Sequence, residues 1–175
     1  NIYRMKNISL IFILMLVASA VINPIASYGS NTKIEKEPES NFAYFNQNFD
    51  NYEKSITIYS NTGLINTGFR VAVANNDSLR AYGLMNLRKL PQSYGMLFLF
   101  DDNQHIAMWM RSTLIPLDMI FIDNNNQIIG YYKNAKPKSD KIIEAPAGTN
   151  KVLEINAGLI KKLGIKKGFH VAIEQ

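Results

Sequence analysis

Apolar and polar residues change their spacing twice along the chain. Mostly apolar residues run from Ile8 to Ile22 behind the cationic stretch Met5-Lys6-Asn7, with small residues at Ala18-Ser19-Ala20 and Ala26-Ser27. The run is shorter than the roughly 20 residues a bilayer span needs, and its flanks are those of a cleaved segment, so residues 1–26 are expected to be a secretory signal peptide. From Ser27 to Lys54 the chain turns to Asn, Glu, Lys, Pro, Ser and Gln, with Phe42, Tyr44, Phe45, Phe49 and Tyr52 scattered among them. That spacing cannot bury enough apolar surface to order a segment, so 27–54 reads as a polar, largely disordered linker whose aromatics could cover an edge of the domain.

Period-two alternation begins near Ser55 and continues to the end, which makes 55–175 a single globular β-rich domain. Strands are predicted at Ile56 to Tyr59 and Phe69 to Ala74, separated by Asn- and Gly-bearing turns. Asn75-Asn76-Asp77 can cap a helix over Ser78 to Met85, with Gly83 near its end. Strands then follow at Gly95 to Phe100, Gln104 to Arg111 and Leu117 to Ile122. The polar turn Asp123-Asn124-Asn125-Asn126 makes Leu117 to Ile122 and Gln127 to Tyr132 a hairpin. A weak strand at Lys141 to Glu144 precedes a strand at Lys151 to Ile155, a short helix over Ala157 to Leu163 and a terminal strand at His170 to Ile173. With no βαβ alternation in this order, the fold class is α+β, mainly β, a compact and mostly antiparallel barrel-like sheet with two short helices.

Composition adds exclusions. The 175 residues, 47% hydrophobic and 19% charged, suit one ordinary core. The formal charge of +5 falls to about +3 once Arg4 and Lys6 leave with the signal segment. The remaining cations are spread out, apart from Lys161-Lys162 and Lys166-Lys167, which read as a solvated helix face and turn, so nucleic acid is not implied. Cysteine is absent, which removes disulfides, thiolate metal sites and cysteine nucleophiles. An exported monomer, periplasmic or secreted, is expected, touching membrane only through the signal segment before cleavage.

Gly83-Leu84-Met85, Gly95-Met96-Leu97-Phe98, Trp109-Met110-Arg111-Ser112-Thr113 with Pro116-Leu117-Asp118, and Leu163-Gly164-Ile165-Lys166-Lys167-Gly168 stand in an order and spacing that resembles the domain of unknown function family 192 of bacteria and archaea. The resemblance covers about Phe69 to Ile173. It implies a compact β-rich domain, frequently exported, and no established reaction. The family pattern has Asn where this chain has Ser112, and often Asp where it has Phe169.

The candidate chemistry gathers around the single Trp. Asp118 precedes an apolar strand, where an unpaired carboxylate is costly to bury, so it needs a partner. Arg111 is the nearest, with the Thr113 hydroxyl beside it. Either these residues tie a turn together, or Trp109, Arg111, Thr113 and Asp118 form the wall of a pocket for an anionic or sugar-like ligand. His105, Met108 and Met110 beside Trp109 offer a soft set for copper(I), although strand alternation sends the two Met to one face and His105 and Trp109 to the other. Hydrolysis of an envelope saccharide or ester would need Asp118 with a second group, such as Glu144, Glu154 or a histidine; His105 and His170 lie in no nucleophile-elbow pattern. The reading that follows is a non-enzymatic, cofactor-free module that binds a small molecule or envelope component.

Overall fold

The computed structural model describes residues 54–63, 67–101 and 104–174. The expected signal segment and, apart from Lys54, the linker lie outside the described residues. The domain orders as β1 (Lys54–Tyr59), β2 (Thr67–Ala74), α1 (Asp77–Tyr82), β3 (Tyr94–Leu99), β4 (Ala107–Met108), β5 (Leu117–Asp123), β6 (Ile128–Ala135), β7 (Ile143–Glu144), β8 (Thr149–Asn156), α2 (Leu159–Lys162) and β9 (His170–Glu174).

Seven strands form one sheet in the order β6-β5-β8-β3-β2-β1-β9, while β4 and β7 make a separate small ribbon. The large sheet curls into a half-barrel whose two end strands approach each other. Gln127, just before β6, bridges His170 of β9, and the Ile128 N–H donates to the Phe169 carbonyl at 2.8 Å. Every pairing in the large sheet is antiparallel except that of β2 with β3. That pair departs from the expected absence of βαβ units. α1 and the turn behind it carry the chain across one face, which a parallel connection requires.

Both faces of the central strands are buried, which is why the Gly95 to Phe100 run reads as continuously apolar. Leu97, Leu153, Ile155, Ile120 and Ile122 belong to one core, closed by Leu159 and Ile160 of α2. Met96, Phe98, Val152, Met119 and Phe121 belong to a second core on the opposite face, covered by Leu84, Leu87, Leu90, Met108, Met110 and Ile143. Gly95 allows β3 and β8 to approach closely, because a Cβ there would lie 2.6 Å from the Glu154 carbonyl oxygen.

The hairpin forms as expected, as β5 and β6. Asp123 Oδ1 accepts from the Asn125 and Gln127 N–H groups at 2.9 and 2.8 Å, and Asn126 takes the left-handed conformation at φ +60°. The strand expected over Gln104 to Arg111 shrinks to the two residues of β4, which pair with β7 from the weak Lys141 to Glu144 candidate. Beyond Met108 the backbone leaves the ladder for a turn with Ser112 at φ +57°.

Candidate functional site

α1 and the 107–113 segment stand over the second core with a gap between them. Asn76 starts α1 by accepting from the Leu79 N–H at 2.9 Å, and Gly83 ends it at φ +50°. A Cβ at Gly83 would sit 3.3 Å from the Phe98 ring, so this glycine also lets the helix end rest on β3. Opposite, the 107–113 segment is held by its backbone. The Met110 N–H donates to the Ser139 carbonyl at 3.0 Å, the Asn86 N–H to the Ser112 carbonyl at 2.9 Å, and the Lys138 N–H to the Thr113 carbonyl at 3.0 Å. This clamp sends Met108 and Met110 into the core and leaves Trp109 41% exposed.

The gap is a cavity of about 200 Å³. Trp109, Arg111 and Thr113 line one wall, Tyr82 and Phe98 line others, and Glu154 of β8 stands among the lining residues. Glu154 is only 4% exposed overall; no hydrogen bond or ion pair holds its carboxyl among the described residues, and since no fully buried side-chain oxygen among them lacks a partner, its carboxyl oxygens open to the cavity. Opposite Glu154, β3 and β5 present Met96 and Met119. Burial pushes its carboxyl up to about 8, so at neutral pH it is mainly protonated and can donate as well as accept.

Arg80 and Arg111 both line the same cavity. Arg80 is occupied: it donates to the Leu99 carbonyl at 2.7 Å, pairs with Asp77 at 2.5 Å, and lies 5.4 Å from the Phe100 ring centroid. Arg111 is more open. Its Cζ lies 4.6 Å from the centroid of the Trp109 ring, and its Nε meets Asp140 Oδ1 at 2.6 Å, which leaves its Nη atoms without a partner among the described residues. An exposed pair of that kind is worth about 0–1 kcal/mol, so it would yield readily to an incoming anion.

The structure brings Trp109, Arg111 and Thr113 together, and it does not bring Asp118 to them. Asp118 is fully buried on the other face of the sheet. Its Oδ1 accepts from the Asn134 N–H at 2.9 Å and its Oδ2 from the Ile160 N–H at 3.0 Å. The expected Arg111–Asp118 pair is therefore replaced by Arg111–Asp140 and by backbone partners for Asp118. The soft-metal set is likewise dispersed: Met108 and Met110 are core residues, whereas His105 is exposed, with Nε2 at 3.0 Å from Glu144 Oε2. In the sequence Glu154 is only one of three carboxylates available for bond cleavage, with Asp118 and Glu144. Its signal is a carboxylate between Leu153 and Ile155, two residues from Val152 and hence on the same face.

A curled, mainly antiparallel half-barrel with a cavity on its outer core defines a small α+β domain. Residues 58–173 match the family DUF192, described as an uncharacterized ACR, and the chain belongs to that family. Among the solved structures similar to it are two crystal structures. One, from Sinorhizobium meliloti 1021, is of a candidate transcription regulator, 34% identical, with a TM-score of 0.67 over 69% of this chain and 93% of that one. The other, a protein of unknown function from Novosphingobium aromaticivorans DSM 12444, is 36% identical, with a TM-score of 0.64 over 67% of this chain and 83% of that one. No curated protein matches the chain.

Proposed function

We propose that this DUF192 domain is an exported, non-enzymatic binding module and that the cavity beside Trp109 receives a small polar ligand. The observation that carries the reading is Glu154, a largely buried residue whose carboxyl has no protein partner among the described residues and lines a cavity together with Trp109 and Arg111. A carboxyl that opens to a cavity instead of to a protein donor is hydrogen-bonded by whatever fills the cavity, and ionisable groups perturbed by burial in this way concentrate at functional sites. An indole wall with polar groups converging on a cleft is the usual composition of a small-molecule site.

Binding is favoured over hydrolysis by what surrounds Glu154. Cleavage of a saccharide or ester needs a second acid, base or nucleophile within reach. Glu154 is the one carboxyl that lines this cavity among the described residues, and no imidazole lines it. Asp118 is committed to backbone amides on the other face, and Glu144 pairs with His105. Export rests on the cationic and apolar pattern of residues 1–26 and is tested by the N-terminus of the mature protein in its host.

Trp109, the single Trp, reports the site directly. Titration with anionic metabolites and with envelope saccharides is expected to move its emission saturably for one class, with at least about tenfold weaker binding in Arg111→Ala. An emission indifferent to both classes would overturn the reading.

A further inference from the structure

We propose that the ligand of this cavity is a small hydroxylated carboxylic acid, its hydroxyl group on the Glu154 carboxyl and its carboxylate on the Nη atoms of Arg111. The inference rests on the binding reading above and adds the chemical class.

Size is the first constraint. A cavity of about 200 Å³ holds the volume of about seven waters, at roughly 30 Å³ each. That is room for a three- or four-carbon acid, well below the roughly 300–1,000 Å³ of sites for drug-sized molecules. The polar groups are the second. Arg111 pairs through Nε with the exposed Asp140 carboxylate at 2.6 Å, and its Nη atoms have no partner among the described residues, so an anionic end takes the open edge of the guanidinium or displaces Asp140, and a cation is disfavoured. No cation pairs with Glu154 among the described residues, and the strands on either side present Met96 and Met119. Arg80 and Tyr82 from α1 and Arg111 from the 107–113 turn are the other titratable groups lining the cavity.

Glu154 discriminates between the other ends a ligand could present. An ammonium group would require the carboxyl to ionise in an apolar site, and the desolvation of both charges offsets most of their attraction. A hydroxyl group needs no charge. It accepts from the protonated Glu154 and donates to its carbonyl oxygen, or to the nearby Thr113 hydroxyl that lines the same wall. The aliphatic carbons of such a ligand would lie against the faces of Trp109 and Phe98.

The test uses four compounds that differ by one group: lactate, alanine, propionate and propane-1,2-diol, titrated into the whole domain and followed by Trp109 emission and calorimetry. Lactate is expected to bind at least about tenfold more tightly than each of the others, since each lacks or replaces one recognised group. Its affinity is expected to hold from pH 6 to 7 and to fall about tenfold per pH unit above about 8, as Glu154 ionises. Glu154→Gln, whose amide can still donate, is expected to bind lactate with no such step. Tighter binding of alanine, equal binding of propionate, or a step that persists in Glu154→Gln would overturn the hydroxyl assignment and leave the cavity as a binding site. Silence from all four overturns this class of ligand, and silence from the wider anion and saccharide series overturns the binding reading with it.

Discussion

Glu154 carries a cost that should be visible before any ligand is found. Its folded-state value of about 8 lies above its ordinary 4.5 because burial disfavours the charged form. Below pH 4.5 both folded and unfolded chains hold the proton, and the group favours neither state. As pH rises toward 8 the unfolded chain releases its proton first, so stability falls by about 1.4 kcal/mol per unit across that window, several kcal/mol in all. Glu154→Gln is expected to remove this slope. The urea midpoints of variant and parent should lie close at pH 4 and separate progressively up to pH 8, the variant being the more stable. Parallel curves would mean that Glu154 is hydrated or paired. Ser112 makes a smaller point at the same scale. At φ +57° it occupies a left-handed position that Asn tolerates better than Ser, which gives a backbone reason for the Asn of the family pattern.

Asp118 shows what an element needs from a distant residue. α2 begins at Gly158, which has no side chain to cap it, and the Asp118 carboxylate of β5 takes the Ile160 N–H instead. Its other oxygen takes the Asn134 N–H, beside the register shift between β5 and β6. Asp118→Asn places an NH₂ group against one of these donors and is expected to cost about 3 kcal/mol or more, with loss of α2 protection in hydrogen exchange but little change in ligand affinity. A variant of unchanged stability would contradict the capping role. The need for a partner was legible in the sequence, but the partner was not. Spacing in the chain suggested Arg111, seven residues away, whereas the donors come from 16 and 42 residues downstream through sheet pairing. The hairpin and the two helices could be read locally because turn residues mark the hairpin, Asn76 caps α1, and Gly164 marks the turn after α2. The short β4 could not, since its end depends on the Met110–Ser139 hydrogen bond rather than on any pattern within the strand.

At the scale of the whole molecule, one sheet divides two cores, and each receives one inward carboxyl. Asp118 faces the core closed by α2 and is fully hydrogen-bonded to backbone; Glu154 faces the core under α1 and the 107–113 segment and has no partner among the described residues. The places of the long strands and the mainly antiparallel class followed from alternation in the sequence, which counts seven or eight strands where the described residues hold nine. The parallel β2–β3 pair did not, because a helix of six residues gives too weak a periodic signal to announce a crossover. That crossover is what lays α1 over β3 and opens the cavity, so the site depends on the least legible part of the topology. Trp109, Arg111 and Thr113 were found as a contiguous motif, while Glu154 joined them only through the pairing of β8 with β3 and β5.

The most direct measurement is the ¹³C carboxyl resonance of Glu154, followed against pH in the free domain and at saturating lactate. The free domain is expected to titrate near pH 8, with the midpoint moved upward by the ligand because the bound hydroxyl group favours the protonated form. A midpoint in the ordinary carboxylate range, or one that lactate leaves in place, would contradict the claim that this buried carboxyl is the polar anchor of a ligand site.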